Sequence, residues 1–191
     1  NSEIRAKIAK ALLTSYGRGD IPVYAGIDIP LLQGFSDRDN DTFDEKGRLI
    51  PCQYDCDTMG NFIPEAEWGP DFIIRSILEN PGQITLIPIG PLTNVAAAIR
   101  KCPEIVYKIK KIVLMGGAFH EDFPEWNILC DPEAAHIVFT SGAEIYAVGL
   151  DVTMKCRLNM EQVRQFEALG SEGSVILSGM MKNWFAHYRF E

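Results

Sequence analysis

Three short apolar runs, 84–89 (Ile-Thr-Leu-Ile-Pro-Ile), 112–115 (Ile-Val-Leu-Met) and 145–150 (Ile-Tyr-Ala-Val-Gly-Leu), alternate with segments of helical periodicity. Runs this short and this continuous are strands buried on both faces, and strands separated by helices form right-handed βαβ units around a parallel sheet. The chain is therefore expected to be α/β, a mostly parallel open sheet flanked by helices with a Rossmann-like core. Apolar residues make up 47% of its 191 residues, enough to bury a real core in a single domain.

The helical segments can be placed by their start and stop residues. Ile4, Ile8, Ala11 and Leu12 recur at helical spacing over 2–15, before Gly17-Arg18-Gly19-Asp20. A short strand is expected at 21–25. The stretch 33–68, crowded with Asp, Gly and Pro, reads as an irregular excursion and a candidate active-site lid. Helices are expected at 69–80 and 95–101, stopped by Asn80-Pro81-Gly82 and Cys102-Pro103. Asp131-Pro132-Glu133 has an N-cap carboxylate and a proline at the first helical position, and Ser141-Gly142 ends that helix. Two further helices are expected at 160–169 and from 173 to about 189.

In a parallel sheet the loops after the strand carboxyl ends converge on one edge, where ligands bind. Three polar pairs follow successive strands: Thr93 with Asn94, Glu125 with Asn127, and Asp151 with Thr153. They are expected to share a crevice. In an extended segment Glu125 and Asn127 point the same way and present a carboxylate plus an amide, a set suited to vicinal hydroxyls. By residue type alone they read equally as a loop carboxylate and a turn Asn. Trp126 reads as a packing residue, and Gly90-Pro91 and Gly116-Gly117 as strand-to-helix turns. No G-x-G-x-x-G or Walker pattern follows a strand, so a dinucleotide or nucleoside triphosphate site is disfavoured.

The net charge of −8, with no basic cluster beyond 108–111, argues against a nucleic-acid partner, and no run spans a bilayer. Five cysteines without a C-x-x-C arrangement fit neither a disulfide scaffold nor a zinc ribbon, which suggests a reducing, cytoplasmic setting. The six aspartates of the excursion, Asp37 to Asp57, lack the glycine and terminal glutamate of an EF-hand and read as a solvated acidic lid. Of three histidines, only His120, in the loop entering the crevice, is a candidate site residue.

The runs 84–96 (Ile-Thr-Leu-Ile-Pro-Ile-Gly-Pro-Leu-Thr-Asn-Val-Ala), 113–117, Glu125-Trp126-Asn127, Asp131-Pro132-Glu133-Ala134-Ala135 and Gly149-Leu150-Asp151-Val152-Thr153 resemble, in order, the inosine/uridine-preferring nucleoside hydrolase family. Ile21 to Gly26 with Pro30-Leu31 extends the likeness. The resemblance implies a calcium-dependent enzyme that cleaves the N-glycosidic bond of purine or pyrimidine ribonucleosides with water, releasing ribose and free base. Calcium takes six to eight oxygen ligands. On the family pattern Thr93 gives it a backbone carbonyl, Asn127 binds ribose hydroxyls near the metal, Glu125 holds the outer hydroxyls, and Met115 lines the sugar pocket. Trp126, a substrate-binding candidate with Glu125, Asn127 and Met115, stands where the family usually has Phe.

The family's aspartate cluster and its His-Asp pair have no counterpart in the 191 residues, so the calcium site is expected to be incomplete here and the catalytic residues to lie outside the chain. Both ends read as cut, making 1–191 a single, incomplete domain. The resemblance further implies a homo-oligomer, dimer or tetramer, acting in nucleoside catabolism and purine or pyrimidine salvage. The alternative is a non-catalytic relative serving as a ribose-binding or oligomerisation module.

Overall fold

The computed structural model describes residues 2–32, 42–43, 49–50, 62–120 and 122–188. They form two compact units. The first holds α1 (Ser2–Ser15), an antiparallel pair of two-residue strands, β1 (Thr42–Phe43) and β2 (Leu49–Ile50), then α7 (Met160–Glu167) and α8 (Glu172–Tyr188). The expected strand at 21–25 is reduced to one parallel bridge between Tyr24 and Glu65. Lys10 fixes the chain leaving α1: its Nζ donates to the carbonyls of Gly19 and Ile21 at 3.0 and 3.1 Å and pairs with Glu65 at 3.3 Å. Asn159 and Gln162 cap α7 reciprocally, and Lys182 on α8 returns to Glu167 at 2.6 Å.

The second unit carries a three-stranded parallel sheet in the order β3 (Thr85–Leu86), β4 (Lys111–Met115), β5 (Ile145–Val148). With it are α2 (Gly69–Glu79), α3 (Thr93–Lys101), α4 (Trp126–Cys130), α5 (Pro132–Phe139) and α6 (Leu150–Thr153). The α/β class and the parallel pairing are as expected. Along β4, alternate residues Ile112 and Leu114 enter a core shared with Ile77, Leu92, Ile99, Ile105 and Val138. Each such side chain contributes about 1.5–3 kcal/mol by burial.

The opposite face differs from expectation. The run 84–89 is not buried on both faces: its strand is only two residues long, and Ile87 and Ile89 are 67% and 78% exposed. Two causes combine. Pro88 has no N–H to give a ladder, although its carbonyl accepts from Met115 N at 2.9 Å, and β3 lies at the edge of the described sheet. Tyr146 and Val148 are also exposed, so β5 alternates between half-buried and exposed residues.

Outside the core, Arg75 pairs with Glu67 at 2.7 Å, and this hydrogen bond holds the Glu67 carboxyl below its ordinary range. No described helix is long and apolar enough to cross a membrane.

Candidate active site

The site begins where β4 ends. Gly116 N donates to the Val148 carbonyl at 3.1 Å, and Leu150 N donates to the Gly117 carbonyl at 2.8 Å, so the glycine turn continues the β4–β5 pairing beyond both strands. Gly117 has φ of +93°, a region that L side chains rarely adopt. That turn directs the following loop back over the carboxyl end of the sheet.

Glu125 and Asn127 do not lie in the extended segment expected for them. Glu125 is the extended N-cap of α4, and Asn127 is the second residue of that helix. The Glu125 carboxylate accepts from Asn127 N at 2.9 Å, Ile128 N at 3.1 Å and Gly117 N at 3.3 Å. A helix start exposes N–H groups without intrahelical partners, and a carboxylate just before them satisfies two at once. Glu125 is only 4% exposed. Three of its roughly four acceptor positions are taken, which leaves about one for a ligand hydroxyl.

Asn127 meets Met115 instead of sharing a face with Glu125. Its Nδ2 donates to the Met115 carbonyl at 3.1 Å and to Sδ at 3.2 Å. This orients the amide and leaves Oδ1 as its ligand acceptor. Met115, Glu125 and Asn127 thus form one connected group around Gly117. Trp126 is 59% exposed, at odds with a packing role.

Thr93 and Asn94 serve a different cluster. Thr93 Oγ1 donates to Asp131 Oδ2 at 2.7 Å, the same oxygen accepts Leu31 N at 3.0 Å, and Asp131 Oδ1 caps α5 through Ala134 N at 3.0 Å. Asp131 is wholly buried. Asn94 Oδ1 accepts Ile27 N at 2.8 Å and fills the space where a Cβ on Gly26 would sit. The polar side-chain groups of these two residues tie 26–31 to the helices. The Asp-Pro-Glu start announced the cap on α5, but nothing in the sequence announced the other two bonds of Asp131.

Asp151 follows the Gly117–Leu150 link, and its Oδ1 is buried without a hydrogen-bond partner among the described residues. Phe119, missed in the sequence, packs against both Gly117 and Gly149. His120 is exposed.

The described residues contain no group of three or more acidic, His or Cys side chains able to hold a metal. Of the implied calcium shell they offer the Thr93 carbonyl alone, in the first turn of α3, and the acceptors of neighbouring Asp131 are committed to N–H and O–H donors. By themselves they do not fit a six- to eight-oxygen calcium site. The six aspartates of the excursion, Cys52 and Cys56 lie outside the described residues, while Cys102 and Cys156 are free thiols.

The chain is 34% identical over 184 residues to the pyrimidine-specific ribonucleoside hydrolase RihA of Citrobacter koseri, covering 94% of this chain and 57% of that protein. It is 35% identical over 178 residues to RihB of Escherichia coli, also a pyrimidine-specific ribonucleoside hydrolase, covering 90% and 54%. The plant nucleoside hydrolase PpNRh1 superposes with a TM-score of 0.81 at 32% identity, over 96% of this chain and 58% of that one. A purine-preferring ribonucleoside hydrolase from Gardnerella vaginalis gives 0.76 at 30% identity, over 96% and 60%. The chain thus spans a little over half the length of these relatives. The model of the inosine-uridine preferring nucleoside hydrolases matches residues 1–191, and the chain belongs to that family.

Proposed function

We propose that the protein hydrolyses the N-glycosidic bond of ribonucleosides, and that this chain supplies part of the ribose-binding wall. The observation that carries this reading is the Met115–Gly117–Glu125–Asn127 group, in which an oriented amide and a nearly saturated carboxylate meet at the carboxyl end of a parallel sheet. Asn127 Oδ1 accepts one sugar hydroxyl, and the remaining acceptor position of Glu125 accepts another. Met115 Sδ, tethered to the same amide, lines the wall between them.

Glycosidic cleavage develops positive charge on the sugar ring. Fixed acceptors stabilise that charge without reorganising, because the Asn127 and Glu125 contacts are already made. Calcium is proposed on the resemblance alone; its other ligands would come from outside the described residues, as would the group that activates water. The relatives' printed names cover both pyrimidine-specific and purine-preferring hydrolases, so hydrolysis of either nucleoside class fits. A homo-oligomer in the cytoplasm, working in nucleoside catabolism and salvage, completes the proposal. The non-catalytic module is not favoured, since these relatives are named as hydrolases.

The test is release of reducing sugar from inosine and uridine by the full-length protein, with loss on chelation and recovery on adding calcium. Absence of release with calcium present would overturn the hydrolase reading. Release unaffected by chelator would overturn the metal.

A further inference from the structure

The Phe119 ring is 57% exposed, yet its seat is closely defined. A Cβ on Gly149 would lie 2.6 Å from the ring's Cδ2, and one on Gly117 would lie 3.1 Å from Cζ. The ring therefore rests on two glycines that lack the side chains it would strike, one beyond β4 and one just beyond β5. Its backing includes the main chain of these two glycines, and the residue as a whole is more exposed than buried. An aromatic held this way at a ligand-binding edge has the form of a stacking platform for a planar heterocycle.

Its neighbours tie that platform to the sugar wall. Gly117, under the ring, is the residue whose N–H goes to Glu125 Oε2, and its carbonyl accepts from Leu150 N. Two residues earlier, Met115 takes the Asn127 amide. The partnerless Asp151 Oδ1 is buried against the same Gly149 position, 2.6 Å from where its Cβ would sit. Acceptors for a polyol and an open aromatic face are thus joined through one glycine turn.

We propose that Phe119 is a specificity-determining residue that receives the planar base of the substrate on its exposed face, with Gly117 and Gly149 kept free of side chains to seat it. This rests on the nucleoside hydrolase reading. The overlap of ring with base sets the strength of stacking, so a purine gains more than a pyrimidine.

The experiment compares wild type with Phe119→Ala, Phe119→Tyr and Gly149→Ala in the full-length protein. Inhibition by free hypoxanthine, free uracil and free ribose is measured alongside hydrolysis of inosine and uridine, and melting temperatures check folding. Phe119→Ala is expected to weaken inhibition by the free bases about tenfold, hypoxanthine more than uracil, with ribose inhibition changed less than about twofold. Phe119→Tyr restores base binding. Gly149→Ala, which displaces the ring together with the Asp151 carboxylate, behaves like Phe119→Ala toward the free bases. Base and ribose inhibition weakening together would mean that the ring merely orders the loop to Glu125, and would overturn the inference; so would base inhibition that does not move. A wild type that hydrolyses no nucleoside sinks the functional reading and this inference with it, whereas intact hydrolysis with unchanged base inhibition in Phe119→Ala sinks this inference alone.

Discussion

The starts of α4 and α5 lie six residues apart and use the same device, a buried carboxylate that accepts main-chain N–H groups, to different ends. Asp131 spends its oxygens on Ala134 N, Leu31 N and the Thr93 hydroxyl, drawing three segments together while wholly buried. Glu125 spends its own on Asn127 N, Ile128 N and Gly117 N, all close to the glycine turn, and its helix presents Asn127 to Met115. One cap joins elements of the core. The other gathers the glycine turn around the start of α4, and under the proposed function it is structural and functional at once.

Asp131→Ala should break the comparison most severely. It strands three buried donors and a helix start, and a loss of about 3 kcal/mol or more is expected in denaturant unfolding. A loss below about 1 kcal/mol would show that the cluster around Asp131 does not hold these segments. Glu125→Ala should cost about 2 kcal/mol by the same measurement and also abolish hydrolysis. Glu125→Gln, which keeps one capping oxygen, should recover much of the stability and less of the activity.

Asn127→Ala separates the two roles. Its melting temperature should stay close to wild type, while kcat/KM for inosine falls about ten- to a hundredfold, the worth of one hydrogen bond to developing charge. Large destabilisation in that variant would make Asn127 a second cap and erase the distinction. The smallest effect is expected far from both helices. Pairing with Arg75 lowers the folded-state pKa of Glu67, so its contribution is present above the unfolded pKa and is lost as pH falls through the folded one. Arg75→Ala should raise the Glu67 titration midpoint by NMR with no measurable change in melting temperature; an unmoved midpoint would remove the pairing from the account.

The alternation of apolar runs with helical periods was enough to read the parallel sheet, and the ends of α1 and α2 follow from the breakers that come after them. What escaped the sequence was contact between distant segments. Whether 84–89 is covered depends on neighbours, so an apolar run interrupted by Pro88 reads as a buried strand although Ile87 and Ile89 face outward. The five residues of α4 are too few to show a helical period, and the Glu125 cap is a main-chain matter that residue type does not reveal. Thr93 and Asn94 could be placed after a strand, but their choice of Asp131 and Ile27 as partners spans 38 and 67 residues.

The seat of Phe119 has a consequence for how the family can vary. A lineage that replaces the ring by a small side chain vacates much of the space over Gly149 and, where the Asp151 carboxylate also turns away, frees that position to drift, whereas Gly117 remains bound by its positive φ. Substitutions at 119 and 149 should therefore appear together along a tree of relatives while 117 stays glycine, leaving a record of which branches kept the aromatic platform.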